Sequence, residues 1–336
     1  MKKYYGAING LRTLSAFGIV MMHVASNNNY QITGGIYENI IPSFTNLVFL
    51  FMEISAFSMC CGYYKKLMSN NINLSEFYKK RFMKTLPFFG FLVLLDIVIT
   101  PSKAALYEAF ADLTLIFGFL PNPGNISVIG VGWFLGLLFV FYLCFPFFCV
   151  LLETPKRAWL SFIISLLYNF SCINYFYVGR SNILYSACFF IAGGLIYVYR
   201  EHLENFNKKA LIFTILISVI IYYSVGGDTI TCLLVSSSLL IYAIASNGGI
   251  LENSITNFFS NISLEIYLSH MAVFRVLEKL KINTIIGNGW IQYIITVFLT
   301  LLGSSTLAVI VKKIGTLIVK RKKALNVHLF SKDKSI

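Results

Sequence analysis

Residues 8–26 read INGLRTLSAFGIVMMHVAS, an apolar run long enough to span a bilayer that nevertheless contains Arg12 and His23. The two residues are eleven positions apart, which at about 100° per residue is three turns plus roughly 20°. Both side chains therefore face nearly the same side of one helix, about 16 Å apart along its axis. Because polar side chains inside a membrane face a protein interior or a watery cavity, this spacing predicts a polar path into the protein.

The composition of the whole chain is that of a membrane protein. Of 336 residues, 57% are hydrophobic and only 12% are charged, which excludes an ordinary soluble protein. Apolar runs recur along the chain and predict an all-α, polytopic transmembrane helical bundle. We expect about ten spans, near residues 8–26, 43–64, 86–101, 131–152, 158–174, 182–199, 210–226, 229–246, 262–277 and 290–311.

The basic residues predict the orientation of this bundle. With the amino terminus in the cytoplasm, five of the 27 Lys and Arg residues fall on the outer side, namely Lys103, Arg180, Arg275, Lys279 and Lys281. That bias follows the positive-inside rule, so both termini are expected to be cytoplasmic. We divide the chain into a transmembrane domain, 1–312, and a basic cytoplasmic tail, 313–336, at the lipid surface. The basic residues behind the net charge of +13 thus flank apolar spans, which fits membrane orientation better than nucleic-acid binding. We expect an integral, multi-pass protein of the plasma (inner) membrane.

The stretch between the third and fourth predicted spans has a different character. Residues 102–130 are amphipathic to apolar and end in the sequence LPNPGNISVIG, which is rich in glycine and proline. We expect a re-entrant or interfacial segment there, covering the outer face of the bundle.

Two of the four histidines, His23 and His270, lie inside predicted spans. A neutral imidazole accepts a proton near pH 7 and is the usual general base. The alternative for each is a hydrogen bond between two helices. The presence of Arg12 on the same stripe as His23 favours a functional role.

Other charged residues have two interpretations each. Arg81 and Lys84 are three apart on one helical face, where they either orient the third span or bind phosphates of a cytoplasmic ligand. The intramembrane acids Glu53, Asp96 and Glu265 either orient a histidine or form a structural ion pair with an arginine. The seven cysteines include no C-x-x-C spacing and no soluble-enzyme motif is present, so we expect no metal site.

Five sequence blocks follow one another along the chain: Arg12 and His23 in the first span, Ser55 and Phe57 in FMEISAF, Phe77, Arg81 and Pro87 in FYKKRFMKTLP, Trp133, Tyr142 and Pro146 in WFLGLLFVFYLCFP, and Ser263, Tyr267 and His270 in ISLEIYLSH. Together, in this order, they resemble the acyltransferase 3 family of integral membrane O-acyltransferases. The chain departs from the family pattern at Asn9, Ala56 and Leu138, where members usually have Asp, Gly and often Glu. Lys84 replaces the second Arg of the family's basic loop.

The resemblance implies transfer of an acetyl or other short acyl group from cytoplasmic acyl-CoA to a hydroxyl of a cell-envelope saccharide. The donor substrate would be acetyl-CoA, and the acceptor a capsular, exopolysaccharide or O-antigen unit, as a glycan or a lipid-linked sugar. Arg12 would hold the CoA phosphates, and His23 would deprotonate the sugar hydroxyl or relay the acyl group. The implied sites are catalytic His23, Arg12 and His270, donor-binding Arg81 and Lys84, and supporting Ser55, Glu53, Trp133, Tyr142 and Tyr267.

Two other functions fit the same residues. A transporter or flippase for a lipid-linked sugar would also place a polar stripe inside a ten-span bundle, although we find no inverted repeats or matched broken helices to favour it. A catalytically silent family member, acting in sensing or assembly, is suggested by the missing acidic positions.

Overall fold

Twelve helices and three short 3-10 turns make up the regular structure of residues 3–99, 102–120, 130–246 and 248–332, which are the residues that this computed structural model describes. No strand occurs within those residues, and the predicted all-α bundle is confirmed. The helices are α1 Ala7–Ser26, α2 Ile36–Met68, α3 Leu74–Ile99, α4 Lys103–Thr114, α5 Trp133–Leu151, α6 Pro155–Phe176, α7 Ile183–Leu203, α8 Lys208–Val225, α9 Thr229–Ala245, α10 Ser254–Asn261, α11 Ser263–Lys279 and α12 Trp290–Lys332.

Seven helices of the described chain are long and apolar enough to cross a membrane, namely α1, α2, α5, α6, α7, α8 and α12. This confirms a polytopic membrane protein. The three other predicted spans, 86–101, 229–246 and 262–277, fall on helices α3, α9 and α11. Helix α3 is charged in its first half, and α9 and α11 have 17 residues each. The count of ten spans and the cytoplasmic position of the termini stay predictions.

Helix α1 lies at the centre of the bundle, in contact with α2, α9, α10, α11 and α12. Its early turns pack tightly, because a Cβ added at Gly10 would lie 2.5 Å from the carbonyl oxygen of Leu251. Helices α2 and α7 approach as closely, since a Cβ at Gly193 would lie 2.2 Å from the carbonyl oxygen of Glu53. Glycine thus permits close backbone contact, at Gly10 with the turn before α10 and at Gly193 between two helices, as is common in membranes.

Helix α8 lies at the periphery instead. Its apolar side chains Phe213, Leu216 and Ile220 are exposed, and a surface of this kind is stable where it faces lipid. The five helices that contact α1 therefore keep its polar stripe inside the protein, while α8 lies outside them.

Two further expectations concern the connections. Of the proposed interfacial segment 102–130, residues Lys103–Thr114 form α4 and Ile116–Phe119 form a 3-10 turn, whereas residues 121–129 lie outside the described residues. Helix α12 continues without a break through Lys332, so the predicted tail begins as a helical extension of the last span.

Candidate functional site

Two cavities meet at Tyr267, which lines both of them. The arginine cavity, of about 220 Å³, is lined by Arg12, Arg81 and Lys84. The histidine cavity, of about 530 Å³, is lined by His23 and Trp133. The stripe predicted on α1 therefore leads from one cavity to the other, because Arg12 near its beginning faces the first and His23 near its end faces the second.

The two arginines of the arginine cavity are held by uncharged groups. Nη2 of Arg12 donates a hydrogen bond to Ser58 Oγ at 2.7 Å, and Nη2 of Arg81 donates one to the hydroxyl of Tyr63 at 2.8 Å. The Arg81 guanidinium also lies 5.0 Å from the centre of the Tyr63 ring, a cation–π distance. Among the described residues neither arginine is ion-paired with a carboxylate. Both positive charges are therefore available to an anionic ligand.

The remaining polar lining of the arginine cavity adds to its positive character. Lys84, Ser55 and Tyr142, all predicted from the sequence, line it. Glu265 lines it too, but this 5% exposed carboxylate pairs with Lys312 at 2.8 Å. The acid is thus neutralised by a cation from α12, and the charges of Arg12, Arg81 and Lys84 dominate the cavity.

The histidine cavity contains His23, and His270 is buried behind it. The centres of the two imidazole rings are 5.0 Å apart. Nδ1 of His270 lies 2.6 Å from the carbonyl oxygen of Tyr267. Since a carbonyl oxygen only accepts, Nδ1 carries the proton and Nε2 keeps its lone pair. That buried Nε2 has no hydrogen-bond partner among the residues the structure describes, so it is available to accept an N–H from a reoriented His23.

Glu53 lies outside both cavities, unlike the other supporting residues that the sequence suggests. It is fully buried, and its two carboxylate oxygens accept hydrogen bonds from Ser236 at 2.5 Å and Ser237 at 3.1 Å. Trp133 and Tyr142 each line one cavity, and Tyr267 lines both. The carboxylate of Glu53 thus joins α2 to α9 and does not reach the cavities.

Sequence reasoning missed four residues that surround the cavities: Ser58, Tyr63, Arg180 and Lys312. Ser58 is three residues after the predicted Ser55 and shares its helical face, a signal that could have identified it. The other three come from a helix end, a loop and the last helix. No local pattern marks them.

The site combines two kinds of chemistry. A pair of guanidinium groups without carboxylate partners binds phosphate well, since their N–H forks match its oxygens. An imidazole in an adjoining cavity can remove a proton from a hydroxyl.

A family model described as an acyltransferase domain matches residues 5–309, which is nearly the whole chain. The chain belongs to the acyltransferase 3 family. All residues that line the two cavities lie inside the matched range. No curated protein and no solved structure matches the chain. Family and fold together make this protein a multi-pass membrane acyltransferase.

Proposed function

We propose that the protein transfers an acetyl or other short acyl group from acyl-CoA to a hydroxyl of a cell-envelope saccharide. One observation carries the proposal: a cationic cavity and a cavity containing an imidazole share a single residue, Tyr267, as their common wall. A donor with a phosphate end and a thioester end, joined by a narrow arm, fits such a pair of cavities.

The arginine cavity is the proposed site of the donor's phosphates. Acyl-CoA is polyanionic, and Arg12, Arg81 and Lys84 provide positive charge in the arginine cavity. Guanidinium groups bind phosphate through two parallel hydrogen bonds. In this proposal the arginine cavity faces the cytoplasm, where acyl-CoA is made, as the basic loops suggest.

The histidine cavity is the proposed site of transfer. His23 takes the proton from the acceptor hydroxyl, and the oxygen attacks the thioester carbonyl carbon. The new C–O bond forms as the C–S bond breaks, and the proton returns from His23 to the sulfur, so that CoA leaves as a thiol. Every atom of this exchange comes from the two substrates, and His23 ends as it began. Direct transfer of this kind needs His23 to reach both the hydroxyl and the sulfur, which its position on the cavity wall allows.

The acceptor in this proposal is a glycan or a lipid-linked sugar of the capsule, exopolysaccharide or O-antigen type. It reaches the histidine cavity from the side of the bundle where α1 ends. The protein would accordingly act in the plasma (inner) membrane.

The test is glycan O-acetylation in cells that lack this gene and are complemented with wild type, His23→Ala or His202→Ala. His202 is exposed just before the end of α7 and lines neither cavity, so it is the matched control. We expect wild type and His202→Ala to restore O-acetylation and His23→Ala, at equal membrane abundance, not to restore it.

Equal restoration by His23→Ala would contradict the catalytic role of this histidine. Absence of O-acetyl groups in wild-type cells, together with altered export of a lipid-linked sugar on gene deletion, would favour transport instead of transfer.

A further inference from the structure

The histidine cavity contains charges that the transfer step does not use. Arg180 and Arg275 line it, as does Asp96. Asp96 already has an interaction partner. The two arginines differ in whether their positive charge is available to a ligand. Their surroundings differ.

Arg275 is already paired. Its Nη1 donates to Glu278 at 2.7 Å, and its Nη2 donates to the side-chain oxygen of Asn27 at 3.3 Å. The positive charge of Arg275 is thus offset by a carboxylate one helical turn away on α11, and its side chain is exposed.

Arg180 is held in place without being neutralised. Its Nη1 donates to Thr45 Oγ1 at 2.6 Å, and the guanidinium lies 5.4 Å from the centre of the Trp133 ring. The backbone at Arg180 is fixed as well, because Ser186 Oγ donates to its carbonyl oxygen at 2.7 Å. Within the described part of the chain Arg180 forms no ion pair, and its hydrogen bonds use Nη1 only.

A guanidinium that is ordered but forms no ion pair can bind an anion. Two of its nitrogens, Nη2 and Nε, remain for a ligand, and one edge of the fork can donate two parallel hydrogen bonds to a carboxylate or a phosphate. Because the group is already ordered by Thr45 and Trp133, little side-chain entropy is lost when a ligand binds. The cavity is also large enough, at about 530 Å³, to hold a sugar ring beside His23.

We propose that Arg180 selects the acceptor by binding an anionic group, a carboxylate or a phosphate, carried by the saccharide whose hydroxyl is acylated. This inference rests on the proposed function and narrows it, because it assigns the acceptor to the acidic or phosphorylated saccharides. Arg180 then fixes the sugar relative to His23, which lines the same cavity.

The test is competition in membranes that contain the protein and its native acceptor. Radiolabelled acetyl-CoA supplies the label, and methyl β-glucoside, methyl β-glucuronide and methyl β-glucoside 6-phosphate compete for the acceptor site. The three glycosides share the hydroxyls at C2, C3 and C4 and differ only at C6. We expect at least one anionic glycoside to inhibit labelling at about tenfold lower concentration than the neutral one, because a charge-assisted hydrogen bond strengthens binding by about this factor.

The variants assign this preference to one residue. Arg180→Gln is expected to remove the preference, Arg180→Lys to keep part of it, and Arg157→Gln, an exposed arginine paired with Glu153 outside the cavity, to keep all of it. Where Arg180→Gln does not accumulate in the membrane, the reduced preference of Arg180→Lys is the deciding measurement. Inhibition by the glucuronide alone identifies a carboxylate, and inhibition by the 6-phosphate alone identifies a phosphate.

Two results overturn the inference. One is equal inhibition by all three glycosides, and the other is an anion preference that Arg180→Gln and Arg180→Lys leave unchanged. If the native acceptor is labelled while either result is obtained, only the role of Arg180 fails. If wild-type membranes transfer no label from acetyl-CoA at all, both the role of Arg180 and the proposed function are contradicted.

Discussion

The two cavities differ in how their functional groups are held. In the arginine cavity, Arg12 and Arg81 are held by hydroxyl groups, and Glu265, the carboxylate that lines it, is paired with Lys312. The histidine cavity has more than twice the volume, and the imidazole of His23 makes no hydrogen bond to any described residue. The first arrangement suits a highly charged ligand held by several cations, and the second leaves the imidazole of His23 free to turn towards a reacting hydroxyl. Variants that separate binding from turnover test this difference.

After the loss of activity expected for His23→Ala, the largest effect is expected for His270, which we treat as a positioning residue for His23. In His270→Ala, kcat should fall about 100-fold, the lower end of what a general base contributes, with the donor KM unchanged. The reason is that Nε2 of His270 has no partner among the described residues and its ring centre lies 5.0 Å from that of His23, so the variant loses the acceptor that we expect to orient His23 when its imidazole turns during the reaction. Steady-state kinetics in proteoliposomes with varied acetyl-CoA would measure both constants.

A conservative variant separates orientation from packing at this position. His270→Gln retains an amide oxygen that can accept from His23, so it should recover part of kcat. If His270→Ala and His270→Gln lose kcat equally and the donor KM rises in both, His270 supports the fold and not the imidazole.

The next effect is expected in the arginine cavity. Arg81→Ala should raise the donor KM about tenfold or more while kcat changes little, because a charge-assisted hydrogen bond to phosphate contributes about 1.5–3 kcal/mol to binding. The donor KM of Arg81→Lys should lie between those of wild type and Arg81→Ala, since lysine retains the charge but cannot donate two parallel hydrogen bonds to a phosphate. Arg157→Ala, far from the cavity, is the control. A fall in kcat at constant donor KM would remove Arg81 from phosphate binding and would erase the distinction between the two cavities.

A smaller effect is expected for Lys312. Its Nζ neutralises Glu265 at 2.8 Å, so Lys312→Ala should leave an unpaired carboxylate facing the donor phosphates. Because the lysine side chain is 43% exposed, we expect only about a threefold rise in the donor KM. In a Glu265→Gln background the same substitution should have no effect, as a double-mutant cycle would show. An equal effect in both backgrounds would mean that Lys312 contacts the donor itself.

The architecture and much of the site could be predicted because their signals are local. Hydropathy identifies apolar helices, and helical periodicity alone places Arg12 and His23 on one face of α1. The sequence blocks that resemble the family likewise identified His270, Arg81 and Tyr267 as candidate site residues. The periodicity does not show the division into two cavities, because Tyr267 becomes their shared wall only when α11 packs beside α1 and α3.

The residues that were missed depend on distant parts of the chain. Lys312 reaches Glu265 across 47 positions, and Arg180 reaches Thr45 across 135. Such contacts follow from helix packing and leave no mark in a window of sequence. Glu53 is the opposite case. Its position in FMEISAF predicted a supporting residue of the site, but its carboxylate is hydrogen-bonded to α9 and does not line either cavity.

Glu53→Gln is accordingly expected to have the smallest effect on transfer. The amide keeps an oxygen that can accept from Ser236, so kcat and both KM values should remain within about twofold of wild type, as at a position that contacts neither substrate. Glu265→Gln, the matched substitution of a second buried acid, lies in the arginine cavity and should change the donor KM. Parallel kinetics and thermal unfolding of the two variants would compare them. A loss of kcat in Glu53→Gln without a loss of thermal stability would mean that the carboxylate acts on the reaction through α2, and the site would then extend beyond its two cavities.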